Sequence, residues 1–319
     1  MIEFKKNNYL LNEEINKYLK KIIKYESYAN GYIFYGAEGV GKKQTALQFI
    51  KEIFKQTSPI GNIEERINNN NHPDFLMIDP SSSLEAKKSK NSDSEKRNIG
   101  SEIIKIAQIR NIKNFLGQKS VESTKKVVLL VDAHLLNEAS SNCLLKTLEE
   151  PNNGIFILLT SKLNFLLDTI ISRCQLVRFK SLSGKKIELF LKGYLESTKL
   201  NLSNKLDFQD LVNLANGSPG QLLKICGIWN ELSDEITSKL ENPTMNSLEI
   251  IEVSKLISEQ LEINQQICLV NLLQLMWWRK TKNKNLVREF ENLKSHMKNN
   301  VQPRLAWEVT FFKILMENL

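Results

Sequence analysis

The amino-acid sequence predicts an α/β domain, built on a parallel sheet flanked by helices, followed by two all-helical regions. Three observations support this prediction. Short β-rich runs alternate with helical patterns over the first 180 residues, the central runs are almost continuously apolar, and strand signals vanish from about residue 183 onward. Alternating strands and helices are typical of an α/β sheet, and strands without polar alternation are typical of parallel sheets covered on both faces.

The predicted elements follow one another in a regular order. The β-rich runs are YIFY at 32–35, FLMI at 75–78, KVVLLV at 126–131, IFILLT at 155–160 and LVRF at 176–179. The helical candidates between them are 42–55, 104–116, 138–149 and 163–171. Two polar stretches interrupt the pattern, an Asn-rich one at 56–73 and a Ser-rich, highly charged one at 80–100. Neither has enough apolar surface to fold alone, so we expect both to be surface loops.

The helical part of the chain divides in two. Residues 183–228 are predicted to form a small helical unit in which NGSPG, at 216–220, is a turn between two helices. Residues 229–319 carry apolar residues at helical spacing throughout. The predicted domains therefore span 1–181, 182–228 and 229–319.

The most apolar part of the last domain is LLQLMWW, which ends at Trp278. Such a stripe is more typical of helix–helix core than of a cofactor site. Because Trp277 and Trp278 are adjacent, they cannot share one helix face, and one of them is a candidate interface anchor.

Composition limits the class of protein. The chain is 41% hydrophobic and 25% charged, which excludes a wholly disordered protein. No apolar run approaches the roughly 18 residues of a membrane-spanning helix, and the N-terminus lacks the apolar core of a secretory signal. The 4 cysteines show no Cys-x₂-Cys spacing, so neither a zinc site nor a disulfide framework is expected. We expect a cytoplasmic protein with no membrane partner.

The net charge admits two interpretations. With 44 Lys+Arg against 36 Asp+Glu, the chain carries a modest +8. A solvated surface is the simpler interpretation, because Lys alternates with Glu and Asn along most of the chain. A nucleic-acid-facing stripe needs Lys and Arg clustered on one face, and the sequence does not place such a cluster.

A candidate phosphate loop follows the first strand. Gly36-Ala37-Glu38-Gly39-Val40-Gly41-Lys42 fits G-x-x-x-x-G-K between a strand and a helix, the context that a P-loop requires. The glycines let backbone N–H groups surround a phosphate chain, and Lys42 would reach its β- and γ-phosphates. The next position needs a hydroxyl to bind Mg²⁺ but holds Lys43, and Thr45 lies about 200° around the helix from it. The loop favours a phosphate-binding or vestigial site over an active hydrolase.

A second nucleotide-binding signature lies on the third β-rich run. In KVVLLVDAH, at 126–134, one acid is present, Asp132, where ATPases of this type supply a metal-linked and a water-polarising acid. NEASSNCLLKTLEEP follows at 137–151, and TIISRCQ comes after the next strand, at 169–175. These segments resemble the clamp-loader branch of the AAA+ family.

Further segments fit the same family in the same order. They are HPDFLMI at 72–78, IAQIRNIKNFL at 106–116 and NGSPGQLL at 216–223. The resemblance covers roughly 20–228 and is most specific over 126–179. It implies an AAA+ P-loop domain, a small helical lid domain and an all-α collar domain.

Three departures from the family pattern bear on activity. Aligned without gaps on K-V-V-I-I-D-D/E-A-D-x-M-N, the chain has Val131 at the metal-linked position and Asp132 at the water-polarising one. Gly220 stands where active relatives carry an Arg that senses the γ-phosphate. Together with Lys43, these changes imply no useful ATP hydrolysis by this chain. Thr160 matches a position that contacts the γ-phosphate in active relatives, although a simple strand terminus explains it equally well.

The arginine of the Ser-Arg-Cys segment, Arg173, is the candidate catalytic residue. The resemblance implies an arginine finger that reaches the ATP of a neighbouring subunit, a role worth about 10³–10⁵ in rate. The alternative is an arginine that only pairs with a surface carboxylate. Ser172 and Cys174 are expected to shape and pack the turn, Cys174 as a small buried hydrophobe rather than a nucleophile.

The remaining site residues form a nucleotide-binding set that is intact or vestigial. Its members are Gly36, Gly39, Gly41, Lys42, Asp132 and Thr160. No cofactor is certain, and ATP or phosphate is the ligand that the loop suggests. Many relatives carry a cysteine zinc module before HPD, but residues 56–71 contain no cysteine, and no zinc is expected. His72, His134 and His296 are too scattered to suggest a metal site.

The resemblance also implies partners: the motor subunit (gamma/tau) and the delta subunit of a bacterial DNA polymerase III clamp loader. The sliding clamp and primer–template DNA would be reached through the complex. The expected function is a non-hydrolysing subunit that donates Arg173 to a neighbour during replication. Two alternatives are an active AAA+ ATPase of the motor type and an independent DNA-binding protein, which would bind DNA tightly and salt-sensitively.

Overall fold

The structure is a computed structural model of the 319-residue chain. It describes residues 12–57, 62–80, 103–198, 207–241, 243–299 and 301–317. The chain forms two compact units, and the division between them lies between Ser181 and Leu182.

Within the described residues of the first unit, five parallel strands form one sheet. The strands are β1 (Gly31–Tyr35), β2 (Phe75–Ile78), β3 (Lys126–Leu130), β4 (Gly154–Thr160) and β5 (Gln175–Arg178). Their order across the sheet is β2-β3-β4-β1-β5. β3 and β4 are buried along their whole length, which explains why their sequences are continuously apolar. The predicted parallel α/β sheet is confirmed.

Helices cover both faces of this sheet. They are α1 (Glu13–Lys24), α2 (Lys42–Thr57), α3 (Ile63–Asn68), α4 (Ile106–Gly117), α5 (Glu138–Glu149) and α6 (Asp168–Ile171), with 3₁₀ turns at Ala133–Leu135 and Leu163–Phe165. α1, α2 and α3 pack on one face, where Phe34 of β1 lies in their core. α4, α5 and α6 pack on the other, around Ile33 of β1. Adjacent residues of one strand thus serve opposite cores.

Three local assignments differ from the sequence prediction. α1 was not predicted, although Leu19, Ile22 and Ile23 form a buried stripe at helical spacing within a Lys- and Glu-rich segment. α3 lies inside the expected loop at 56–73, because the buried residues Ile63 and Ile67 anchor a short helix there. The candidate helix at 163–171 is divided into a 3₁₀ turn and α6. Of the loop expected at 80–100, all residues after Pro80 lie outside the described residues.

The second unit is helical throughout its described residues. Its helices are α7 (Gly184–Thr198), α8 (Phe208–Ala215), α9 (Pro219–Glu231), α10 (Asp234–Leu240), α11 (Ser247–Gln260), α12 (Ile263–Thr281), α13 (Lys284–Lys298) and α14 (Pro303–Glu317). The NGSPG turn is confirmed: Asn216 ends α8 in the left-handed conformation, and the Ser218 side chain caps α9 by accepting the Gln221 N–H. The predicted boundary near 229 falls inside α9, and the division into three domains stays a prediction.

Two tryptophans organise the core of the second unit. Trp277 is completely buried, and its indole N–H donates to the Leu240 carbonyl at 2.8 Å. Trp307 is also buried and donates to Gln266 Oε1 at 2.9 Å. Trp278 is half-buried, with the Lys282 ammonium 5.9 Å from its ring centroid, so Trp278 is the one that stays a candidate interface anchor. Across the part of the chain that the structure describes, no helix combines the length and apolar character that crossing a bilayer requires.

Candidate functional site

The candidate phosphate loop runs from the end of β1 to the start of α2. Its glycines Gly36, Gly39 and Gly41 have φ angles of 149°, 75° and 94°, a range that residues with side chains rarely adopt. At Gly36, a Cβ atom would lie 2.2 Å from the Phe179 carbonyl oxygen. The glycines are therefore required by the fold of the loop itself, with or without a ligand.

Lys42 folds back onto this loop. Its ammonium donates to the carbonyl oxygens of Gly36 at 2.7 Å and Ala37 at 2.6 Å, and the residue is only 9% exposed. Burial lowers the pKa of Lys42, while the negative charges of Asp132 and Glu38 oppose that shift. To bind a phosphate, the ammonium would have to exchange two carbonyl partners for phosphate oxygens.

The positions that would bind Mg²⁺ offer it no oxygen. The Lys43 ammonium forms an ion pair with Asp79 Oδ2 at 2.8 Å, just beyond β2. Val131 lies in the hydrophobic core and is 9% exposed. Thr45 lines a small cleft with Leu19 of α1, away from the loop. Since Mg²⁺ requires oxygen ligands, an ammonium and an aliphatic side chain at its two positions do not fit the ion.

The carboxyl ends of β3 and β4 complete this site. Asp132 follows β3 in the left-handed conformation, with a φ of 49°. Thr160 is buried, its hydroxyl accepts the Lys162 N–H at 3.0 Å, and its carbonyl accepts the Gly36 N–H at 3.3 Å. His134 Nδ1 lies 3.5 Å from the Thr160 hydroxyl, and burial lowers the pKa of His134 while Asp132 opposes the shift. The hydroxyl of Thr160 thus closes the turn after its own strand.

The structure brings the six predicted loop and strand-end residues to one edge of the sheet. They lie at the carboxyl ends of β1, β3 and β4, as ligand-binding residues of open α/β sheets do. His134 and Asp79 also lie there but were not predicted. Gly220 lies in α9 of the second unit. Among the described residues, no group of three or more His, Cys, Asp or Glu side chains is placed to hold a metal ion.

Arg173 lies in the turn between α6 and β5, outside the sheet. Its Nε and Nη2 donate to Glu149 Oε1 at 3.0 and 2.6 Å, and its Nη1 donates to the Thr169 carbonyl at 3.0 Å. The Ser172 hydroxyl donates to the same carbonyl at 3.1 Å, which fixes the turn. The side chains of Arg173 and Glu149 are 39% and 50% exposed. The pairing with a surface carboxylate, considered above as the alternative to a finger, is thus present in the chain.

Arg173 and the phosphate loop lie at opposite edges of the sheet. Arg173 precedes the amino end of β5, whereas the loop follows the carboxyl end of β1. β1 and β5 are parallel neighbours in which Gln175 is opposite Tyr32 and Arg178 is opposite Tyr35. About 10 Å of strand, at about 3.3 Å per residue, therefore separates the two levels. This geometry directs Arg173 away from the loop of its own chain.

Cys174 packs beneath the arginine turn. A Cβ atom at Gly31, at the start of β1, would lie 2.7 Å from its sulfur, so the two residues are in tight contact. Burial raises the pKa of the Cys174 thiol to about 11, which keeps it protonated at neutral pH. These observations agree with a packing role and not with a nucleophile.

Two family models match this chain. One, described as DNA polymerase III, delta subunit, matches residues 11–183, which is more than half of the chain. The other, described as cyanobacterial DNA polymerase III delta prime, C-terminal domain, matches residues 194–314. The chain belongs to the DNA polymerase III delta-prime family. The resemblance to clamp-loader subunits inferred from the sequence is thereby confirmed, over a longer part of the chain than the motifs alone covered.

Individual relatives are DNA polymerase III subunits of the delta' and gamma/tau types. DNA polymerase III subunit delta' of Bacillus subtilis (strain 168) is 32% identical over 184 residues, 56% of this chain and 50% of that protein. Subunit gamma/tau of Mycoplasma genitalium is 30% identical over 229 residues, 70% of this chain and 34% of that protein. The chain thus spans half or less of the length of these two relatives.

A solved structure shows the same fold. A DNA polymerase III gamma subunit-related protein from Thermotoga maritima matches with a TM-score of 0.53 and 17% identity, over 94% of this chain and 99% of that chain. At this identity the match bears on the fold alone. It agrees with the predicted fold class, a parallel sheet flanked by helices and followed by further helices.

Proposed function

We propose that this chain is a non-hydrolysing clamp-loader subunit that donates Arg173 to ATP bound by a neighbouring gamma/tau motor subunit. In this role it helps to load the sliding clamp onto primer–template DNA during replication, in a complex that also contains the delta subunit. The observation that carries the proposal is the position of Arg173: exposed, fixed by a turn, and at the opposite edge of the sheet from the phosphate loop of its own chain.

The phosphate loop supports the non-hydrolysing half of this proposal. Its glycine backbone has the shape that holds an anion, so phosphate or a nucleotide fits the loop itself. Mg²⁺ does not fit, because Lys43 brings its own positive charge and Val131 offers no ligand. Without the metal, this loop would lack the divalent charge that helps to neutralise a phosphoryl group in transfer.

Arg173 supports the donating half. A guanidinium beside a phosphoryl group in transfer stabilises the charge that spreads over its oxygens, and such fingers contribute about 10³–10⁵ in rate. For hydrolysis to depend on assembly, Arg173 must contact the motor's ATP better in the closed arrangement of subunits than in the open one. Its exposure leaves the side chain accessible to such a neighbour.

A reconstituted complex tests this proposal. The chain would be combined with the motor and delta subunits of the same organism, the clamp and primed DNA, and hydrolysis would be followed in steady state and in the first turnover. We expect the isolated chain to be silent, the complex to be active, and Arg173→Ala to abolish the one hydrolysis event that this finger serves. Arg178→Ala, an exposed arginine on β5, is the matched control and should behave as wild type.

Three outcomes would contradict the proposal. Hydrolysis by the isolated chain that is lost on Lys42→Ala would identify an active ATPase of the motor type. If the complex with Arg173→Ala still hydrolyses the full number of ATP molecules, Arg173 is not an arginine finger. Tight, salt-sensitive DNA binding by the isolated chain would favour the DNA-binding alternative instead.

A further inference from the structure

We propose that Glu149 is the positioning residue of the arginine finger, holding the Arg173 guanidinium ready for a phosphate before the neighbouring subunit docks. This inference rests on the proposed function.

The hydrogen bonds of Arg173 use some of the N–H groups of its guanidinium and leave others unbonded. A guanidinium has five N–H groups. The edge formed by Nε and Nη2 binds Glu149 Oε1 at 3.0 and 2.6 Å, and one Nη1 N–H binds the Thr169 carbonyl at 3.0 Å. Nη1 and Nη2 each keep one N–H without a partner among the described residues. A bidentate contact with phosphate oxygens uses two N–H groups on neighbouring nitrogens, and two such groups remain here.

Glu149 is poorly placed to serve the stability of the chain. It is the last residue of α5, where a negative charge opposes the helix dipole. At 50% exposure, facing an arginine that is 39% exposed, it forms the kind of surface ion pair that contributes little to folding. What the pair does accomplish is to hold a long, flexible side chain in one orientation.

Holding the side chain in advance should increase the rate of hydrolysis. An unrestrained arginine loses conformational freedom when it reaches the phosphate, and for one long side chain that loss corresponds to about a two- to tenfold change in rate. Glutamine keeps an Oε1 atom that can accept the same N–H groups, whereas alanine does not. Glu149→Gln should therefore preserve most of the effect that Glu149→Ala removes.

The neighbouring acid provides a matched control. Glu150 is exposed, carries the same charge, lies one residue further along the chain, and makes no hydrogen bond to Arg173. If only the local negative charge matters, Glu150→Ala should lower the rate as Glu149→Ala does. If the contact matters, Glu150→Ala should hydrolyse ATP as wild type does.

The test measures single-turnover ATP hydrolysis in the reconstituted complex, for the phase that Arg173→Ala removes. We expect Glu149→Ala to slow this phase about two- to tenfold, the cost of ordering one side chain, without changing ATP affinity. Glu149→Gln and Glu150→Ala should stay near wild type, and adding Glu149→Ala to Arg173→Ala should leave the remaining ATP hydrolysis of the complex unchanged. Circular dichroism would establish that each variant is folded.

Different results separate the two ideas. If Arg173→Ala abolishes the phase but Glu149→Ala leaves it unchanged or accelerates it, Glu149 does not position the finger, and the finger itself stands. A loss of the hydrolysis that remains in the Arg173→Ala complex, when Glu149→Ala is added to it, would also overturn the inference, because Glu149 would then act by another route. If Arg173→Ala leaves the phase intact, both the proposed function and this inference fail.

Discussion

Replacing Gly36 by alanine should lower the unfolding temperature of the first unit markedly, although only a methyl group is added. The new Cβ would lie 2.2 Å from the Phe179 carbonyl oxygen, against 3.4 Å or more for ordinary contact, so β1 and β5 must separate by about 1 Å. This happens where the Phe179 N–H donates to the Tyr35 carbonyl at 2.7 Å.

The magnitude follows from two contributions. A non-glycine residue at a φ of 149° costs about 1–3 kcal/mol, and weakening the hydrogen bond between the strand ends costs about 0.5–1.5 kcal/mol. Their sum is about 3 kcal/mol. For a unit of this size, each kcal/mol lowers the Tm by about 2–4 °C, so the expected decrease is about 6–12 °C.

Calorimetry and circular dichroism without nucleotide would measure this decrease, and hydrogen exchange of the β1 and β5 amides would locate it. The 4 tryptophans of the chain all lie at or beyond Trp229, so their fluorescence monitors the second unit separately. Gly117→Ala is the matched control: at the end of α4 its Cβ meets nothing within 4 Å, and its Tm should stay near wild type.

A Gly36→Ala protein that unfolds within about 2 °C of wild type would refute the reasoning. It would mean that the strand ends accommodate a side chain without loss. The glycine would then have to be explained by ligand binding and not by the fold of the loop.

Three further predictions concern the core and the titrating groups. Trp277→Ala should cost about 3–5 kcal/mol in a urea titration, and Trp278→Ala less than about 1 kcal/mol; equal losses would contradict the assignment of Trp277 to the core. Burial raises the pKa of Asp74, but three backbone N–H groups outweigh it and the net pKa lies below its ordinary 3.8. The Asp74 carboxylate therefore stabilises the folded chain fully above pH 3.8, and this stabilisation is lost as the pH falls through the lower folded pKa. The difference in urea midpoint between wild type and Asp74→Asn should therefore become smaller from pH 7 to pH 2. A difference in urea midpoint that stays constant with pH would contradict the lowered pKa of Asp74. Cys174 and Cys226, each with a pKa raised to about 11 from 9.0 by burial, should be alkylated at pH 8 about a hundredfold more slowly in the folded chain than in urea, as peptide mass spectrometry would measure.

The sheet could be predicted from the sequence because its signal is local and redundant. A strand such as β3, buried on both faces, is apolar at every position after Lys126, and a glycine-rich loop directly after β1 lies at the edge where open α/β sheets bind ligands. α1 and α3 have no such redundancy. Each of these helices depends on two or three apolar residues among lysines, glutamates and asparagines. Those residues stabilise the helix only when they pack against the sheet.

The residues of the candidate site could be proposed from the sequence, but their contacts could not. The P-loop spacing and the Ser-Arg-Cys segment make Lys42 and Arg173 candidates without a structure. No local pattern shows that Lys43 pairs with Asp79, 36 residues away, or that Arg173 pairs with Glu149, 24 residues away. Such contacts depend on which strand ends the topology brings together, and surface pairing carries too little energy to leave a trace in the sequence pattern.

The opposite placement of the arginine and the phosphate loop has a consequence for assembly size. Subunits that join finger to nucleotide site make a head-to-tail contact, which repeats indefinitely unless rotation closes it into a ring. In the proposed function this chain donates a finger on one side, at Arg173, and on the other side carries a nucleotide site that cannot hydrolyse ATP. The chain then occupies one end of the row of subunits. The number of subunits is therefore limited by a chain that ends the row and not by closure into a symmetric ring.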